Sequence, residues 1–310
     1  MVDWAQKRQE VLGEAPDQSL LPNIKLPVLP KAVTEFSAKA EDPDCDVATL
    51  AAIVESDTGL TCELLRTVNA SANALSHRIA SARHAIATLG IRRTKLHLLT
   101  AAVQNSLPAR GLKLVNLATY WNANLERAIL ARKLAKLLKA DEDLAFSAGL
   151  LVDFLLPTLT NERDGEYLNF LKEQDENPAN LIEFERKLFG WDHAEAAARV
   201  MFSWGFPDDL ICCVLYHHHG LQILADRELR HSAAAAVALA SLMPDPLRQA
   251  ACGINHLQKL GEIWNAFDLQ KFADAVYAEY APHARESASY IPFYEHARKL
   301  PQPELAEAAV

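Results

Sequence analysis

The residue with the clearest chemical demand in this chain is Asp153, a single acid inside the apolar stretch Gly149-Leu150-Leu151-Val152-Asp153-Phe154-Leu155. The stretch reads as helix interior. A carboxylate buried there alone would cost several kcal/mol, so it calls for a partner, a proton or a metal ion. Other catalytic arrangements lack their residues: there is no G-x-S-x-G, no P-loop, no G-x-G-x-x-G and no H-E-x-x-H. Cys45, Cys62, Cys212, Cys213 and Cys252 form no C-x-x-C pair, which speaks against a zinc knuckle or redox motif and leaves buried, reduced thiols as the expectation.

Charge narrows the partners. Between Glu63 and Glu126 no acid occurs, while Arg66, Arg78, Arg83, Arg92, Arg93, Lys95, Arg110 and Lys113 do, so this segment carries +8 of a net −9 and the remainder −17. Such asymmetry marks a surface for phosphates or an acidic partner, a docking face for the chain's own acidic half, or plain solvated helix surface. Nucleic acid is the weakest of these readings, because the total is acidic and no basic helix with interleaved aromatics is present. No apolar run approaches the ~20 residues that span a bilayer, and Met1 to Pro16 is too charged for a secretory signal, so the expected location is the cytoplasm, away from membranes.

The elements that must position Asp153 are helices. Half of the residues are hydrophobic, glycines number 11, and Ala/Leu-rich segments recur at helical spacing with little β-branched alternation. After the stiff entry Leu26-Pro27-Val28-Leu29-Pro30, helices are expected from Lys31 to Glu41, after Asp46, through Leu60, Leu64 and Val68, from Ser81 to Gly90, and from Ile91 to Ser106. A break with Pro108 and Gly111 then separates a second lobe. There a long stripe runs from Trp121 to Leu138, and Asp141-Glu142-Asp143 caps the helix carrying Asp153, which Pro157 ends. Further helices are expected over Asn161 to Gln174, Asn180 to Gly190, Asp192 to Trp204, Asp208 to His218, Glu228 to Met243, Pro246 to Leu260 and Leu269 to Tyr280, with a polar tail from Pro301. Trp121, Trp191 and Trp204 are assigned to the core.

Several of these segments together resemble the HDOD family, the HD-related output domains of bacterial signalling proteins. The resemblance rests on Leu26 to Pro30, Glu55-Ser56-Asp57, Leu64-Leu65-Arg66 with Asn69-Ala70-Ser71, Ser81, Ala85-Ile86 and Leu89-Gly90. It continues through Trp121, Gly149 to Asp153, Glu185, Phe189-Gly190-Trp191-Asp192-His193, Trp204-Gly205-Phe206-Pro207 and Tyr216-His217-His218. It implies an all-α, two-lobe domain: an N-terminal segment over 1–20, an HDOD domain over 21–222 with a small bundle at 21–110 and a degenerate HD-type bundle at 116–222, then a helical extension over 223–310 packing on the second lobe.

Catalytic HD enzymes use His and Asp to hold divalent metals that activate water for phosphoester hydrolysis. The resemblance places the expected histidines at Ala123 and Val152, and neither residue can ligate. Asp153, His193, His217 and His218 survive as a vestigial site. Three imidazoles and a carboxylate form a legitimate donor set for one divalent metal, with Asp153, His193 and His217 foremost, but helix-borne His217 and His218 would point ~100° apart and hardly face one ion. The expectation is therefore no resident cofactor, with Asp153 hydrogen-bonded, His193 and His217 being its candidate donors. His219 reads as a helix-end histidine. Arg66, Asn69, Arg92 and Arg93 are the candidate partner or phosphate face. The resemblance implies a non-catalytic regulatory module that binds other signalling proteins or a small nucleotide-like ligand; a divergent metal-dependent phosphohydrolase is the alternative.

Overall fold

The computed structural model describes residues 2–15, 26, 28–71, 78–106 and 112–301, and every regular element among them is helical. The expectations at Pro27, Pro108, Gly111 and the tail beyond Pro301 lie outside the described residues.

An unanticipated helix, α1 (Trp4–Leu12), comes first. The small lobe follows, with α2 (Lys31–Lys39), α3 (Val47–Glu55), α4 (Thr58–Ser71), α5 (Ala82–Leu89) and α6 (Ile91–Ser106). The starts of α3 and α5 are those read from the sequence: Asp46 accepts from the Thr49 amide at 2.6 Å and Ser81 from the His84 amide at 3.3 Å, each satisfying an amide with no partner within its helix. Apolar side chains spaced three and four apart, among them Val33, Phe36, Leu50, Val54, Leu64, Val68 and Ile86, close the core of this lobe.

The second lobe is built on α7 (Leu117–Leu138), capped by Asn116, and α8 (Glu142–Leu151), capped by Asp141. These two pack closely because Gly149 faces Ala128: a Cβ at Gly149 would lie 2.7 Å from the Ala128 Cα. Against expectation α8 ends at Leu151, so Val152 and Asp153 sit in the turn that leads to α9 (Leu156–Glu162). Pro157 starts this next helix instead of ending the previous one, since the first turn needs no amide donor. Then come α10 (Asp164–Glu173), α11 (Leu181–Phe189), α12 (His193–Ser203) and α13 (Asp208–Leu215). Beyond α13 the chain tightens into a 3-10 segment, His217–Ala225, kinked at Gly220 where φ is 50°.

The extension completes the bundle. Helix α14 (Ala233–Ala240) is buried along its whole length and packs on α7, α8 and α13, its small side chains permitting close approach. It is shorter than the expected Glu228–Met243, and the expected helix from Pro246 begins only at α15 (Gly253–Ile263). Between them the Asp245 carboxylate accepts from the Leu247 and Gln249 amides, a local pairing that competes with helix. The chain closes with α16 (Leu269–Tyr280) and α17 (Phe293–Arg298).

Charge ties the parts together. Arg92 reaches Asp141 and Asp209, Arg93 reaches Asp143 and Lys113 reaches Asp164, so three of the segment's eight basic residues dock on acids of the second lobe, while Lys95 and Arg66 pair with Glu41 and Glu63 of the first. Arg8 on α1 pairs with Asp208 at 2.5 Å and lies 3.9 Å over the Phe202 ring, fixing α1 against α12 and α13. The stretch Glu142–Glu162 is, against expectation, long and apolar enough to pass for a membrane span; 83% of its window is buried and the turn at 152–155 interrupts it. Cys212 and Cys213 are buried as expected, whereas Cys62 and Cys252 are exposed.

Gly149→Ala should lower stability by about 1–3 kcal/mol, as overpacking between rigid backbones does. Urea unfolding monitored by circular dichroism reads the loss; unchanged stability would mean that α7 and α8 can separate freely.

Candidate functional site

Asp153 is 3% exposed and lies where α7, the α8–α9 turn, α12 and the 3-10 segment converge. Its carboxylate is divided. Oδ2 accepts from Arg127 Nη1 at 2.6 Å and from Gln249 Nε2 at 2.9 Å. Oδ1 has no hydrogen-bond partner among the described residues and faces His217 Nε2 at 3.4 Å and His193 Nε2 at 3.6 Å. The expected buried position is therefore correct, but the donors are Arg127 and Gln249 where His193 and His217 were expected. Burial would raise Asp153, yet the Arg127 guanidinium and the two imidazoles hold it well below the usual carboxylate range.

The imidazoles are oriented from behind. Glu185, on α11, accepts from the His193 amide at 2.8 Å and from Tyr167 Oη at 2.7 Å, and lies 2.7 Å from His193 Nδ1. An acceptor so used fixes the Nδ1 proton of His193. Burial pushes the His193 imidazole down; the Glu185 carboxylate, aided by Asp153, overcomes this and lifts it to about 10. His217 Nδ1 lies 2.6 Å from the Val214 carbonyl, which can only accept, so Nδ1 carries a proton and Nε2 is the atom turned toward Asp153, without a hydrogen-bond partner among the described residues. His218 Nε2 is 2.8 Å from His193 Nε2. Burial, then the neighbouring His217 and His193, drive His218 well below its ordinary value.

Against expectation, neighbouring His217 and His218 both reach the cluster. Because α13 ends at Leu215, His217 and His218 lie on the 3-10 segment and not on a regular α-helix, and their rings are 4.0 Å apart. One ligand atom from each of Asp153, His193, His217 and His218 lies within 4.8 Å of the others. A carboxylate oxygen and an imidazole nitrogen, neither with a hydrogen-bond partner among the described residues, thus face each other, and Nδ1 of two rings is fixed by outer partners, as metal-binding histidines require. These residues fit a single divalent cation, provided the proton on His193 leaves.

On the other side of Asp153 the pattern is different. Ala123 and Val152 are buried hydrocarbon at the positions where the resemblance expects imidazoles. A small enclosed space of about 10 Å³ is lined there by Tyr120, Ala123, Asn124, Arg127, Asp153 and Gln249. It is too tight for more than about one water. Arg127 and Gln249 escaped the sequence reading. Arg127 carries a helical signal, standing one turn after Ala123 on the same face of α7, while Gln249 comes from the extension and had none.

Of the candidate partner face, Arg92 and Arg93 are engaged with acids of the second lobe. Asn69 clamps the backbone of Ile79 through both its amide groups, each at 2.8 Å, and Arg66 is largely exposed beside Glu63. Trp121 is buried as expected; Trp191 and Trp204 are partly buried against Phe189, Phe154 and Phe206. His219 stacks edgewise on Tyr216.

An all-helical domain with an Asp/His cluster at the centre of its second lobe is thus defined. The chain belongs to the HDOD domain family, whose model matches residues 26–220. A protein of Treponema pallidum (strain Nichols) named "Uncharacterized protein" is 24% identical over 205 residues, covering 63% of this chain and 38% of its own length. The chain therefore spans about two fifths of the curated relative it matches. Two crystal structures share the fold. "Putative phosphohydrolase" from Shewanella amazonensis SB2B aligns at a TM-score of 0.58 and 20% identity, covering 91% of this chain and 87% of that one. "Putative signal transduction protein" from Marinobacter aquaeolei VT8 aligns at 0.57 and 20% identity, covering 91% and 65%.

Removing one partner of a buried ion pair strands the other. Arg127→Met should cost about 3–5 kcal/mol in urea unfolding, and the double variant Arg127→Met/Asp153→Leu should lose less than the sum of the two single changes. Additive losses would show the pair to be uncoupled.

Proposed function

We propose that this chain is a non-catalytic regulatory module of bacterial signalling, which works by binding another signalling protein or a small nucleotide-like ligand. The observation that carries the reading is the state of Asp153: one oxygen is held by Arg127 and Gln249, and the flanking positions Ala123 and Val152 are hydrocarbon. Phosphoester hydrolysis by two metals needs a carboxylate free to bridge them and ligands on both sides. Here a guanidinium provides the positive charge on one side. Membership of the HDOD family and the fold shared with a protein named for signal transduction favour the same reading.

A second reading has its own observation. The orphaned Asp153 Oδ1 and His217 Nε2, with His193 and His218 beside them, favour one divalent cation. A bound cation would supply Lewis-acid polarisation or an activated water; His193, His217, His218 and Asp153 would hold it, and Glu185 and the Val214 carbonyl would keep the rings oriented. The fold shared with a protein named as a phosphohydrolase is compatible with this divergent hydrolase.

Activity separates the two. Protein incubated with manganese, iron or zinc should release no phosphate from p-nitrophenyl phosphate and open no cyclic dinucleotide beyond the background given by Asp153→Ala. Turnover at enzyme-like rates that disappears in that variant would overturn the non-catalytic reading. Metal retained through gel filtration, with stability lost in EDTA, would establish the cation site independently of turnover.

A further inference from the structure

The C-terminal extension returns across α7 in a way that the family-matched domain does not account for. After α16 and a short 3-10 turn (Ala281–His283), residues 284–292 run without regular structure to α17, and they are fastened to one stripe of α7. Asn122, 2% exposed, donates to the Arg285 carbonyl and accepts from the Arg285 amide, both at 2.8 Å. Thr119 Oγ1 lies 2.6 Å from Ser287 Oγ and 3.2 Å from Ser289 Oγ. Glu126 accepts from the Tyr290 hydroxyl and, at 2.8 Å, from the Phe293 amide. Positions 119, 122 and 126 follow the spacing of one helix face, while Ala123 and Arg127, turned toward Asp153, belong to the next. The strap and the Asp153 cluster therefore use different faces of α7.

The fastening is uneven. Between Tyr280 and Phe293 no apolar side chain is fully buried, although the half-buried Tyr290 packs on the core and meets the Tyr280 ring at 6.0 Å; polar contacts hold the rest of the strap. Its far end rests on Glu126, which is 0% exposed and whose Oε1 has no partner among the described residues. The ionisable groups around it leave it without a cation. On α16, Tyr280 faces it, while Glu279 pairs with Arg132 and Lys133. On the strap, Tyr290 donates to it and Arg285 lies over the Trp121 ring; on its own helix, Arg127 is taken by Asp153. On α17, His296 is lowered by burial and the nearby Lys299, and Arg298 pairs with Asp274.

We propose that residues 284–293 form a releasable latch on α7, shut when Glu126 carries a proton and loosened when it ionises, because the closed strap offers the anion two donors and leaves one oxygen dry. Burial lifts Glu126 from its ordinary 4.5 to about 7, against the pull of Tyr290 and Phe293. The closed form thus binds the proton more tightly than the open form. Its advantage is complete below the ordinary carboxylate range, falls as the pH rises, and is lost once the pH passes about 7. The consequence reaches a cavity. Ser289, Tyr290, Ile291 and His296 wall a space of about 600 Å³ whose other side is Thr119, the 244–252 loop and the start of α15, so release of the latch widens access to it.

Hydrogen exchange of the full chain, corrected for the intrinsic pH dependence of exchange, tests the latch. The Arg285 and Phe293 amides should open roughly tenfold more often per pH unit between about pH 5 and 7 and level off above, while amides in α14 stay unchanged. Glu126→Gln should remove that slope. Tyr290→Phe, which takes away one donor to the carboxylate, should move the levelling point to higher pH and serves if Glu126→Gln fails to fold. A strap whose opening ignores pH in the wild-type chain, the same slope in Glu126→Gln, or an unmoved levelling point in Tyr290→Phe would overturn the proposal.

Discussion

The structure depends on one buried ion pair. Arg127 and Asp153 are both 3% exposed, and their side chains meet at 2.6 Å between α7 and the α8–α9 turn. Two charges removed from water at this depth are tolerable only when they satisfy each other and the remaining lone pairs find donors. Gln249 supplies one such donor, which draws the 244–252 loop of the extension into the centre of the second lobe. That loop also hands the Gln249 carbonyl to the Leu181 amide and takes Asn180 onto the Ala251 amide. One carboxylate oxygen thus organises α7, the start of α11 and the extension.

The other oxygen has no hydrogen bond among the described residues, and this asymmetry gives the site its character. On the Arg127 side the positive charge is built into the chain and immovable. On the histidine side it is exchangeable: a proton on His193 or a cation among four donors would each put positive charge opposite the open Asp153 oxygen. Such a site can hold the bundle together without offering the paired metals and bridging carboxylate of phosphoester hydrolysis.

Much of the fold was legible in the sequence because helix periodicity and caps are local signals: Asp46, Ser81 and Asp141 begin helices where their side chains can accept amides. The residues Asp153, His193, His217 and His218 were legible as a group and do converge. The misses are long-range or competitive. Arg127 as the partner of Asp153 needed knowledge of the facing helix, and Gln249 needed the path of the extension. The end of α8 at Leu151 was hidden because an apolar stretch reads as continuous helix, although Pro157 could equally open a new one. The helix α1 was missed because its anchoring residues, Arg8 and Arg199, look like ordinary surface charges until the docking of α1 on α12 and α13 is known.

The claim on which the account rests is that Arg127 and the hydrocarbon at Ala123 and Val152 leave room for one cation at most. Anomalous diffraction from crystals grown with saturating zinc or manganese tests it directly. Either no ion or a single ion among Asp153, His193, His217 and His218 is expected, with Arg127 still bound to the other Asp153 oxygen. Two ions about 3.5–4 Å apart, bridged by Asp153 with Arg127 displaced, would contradict it.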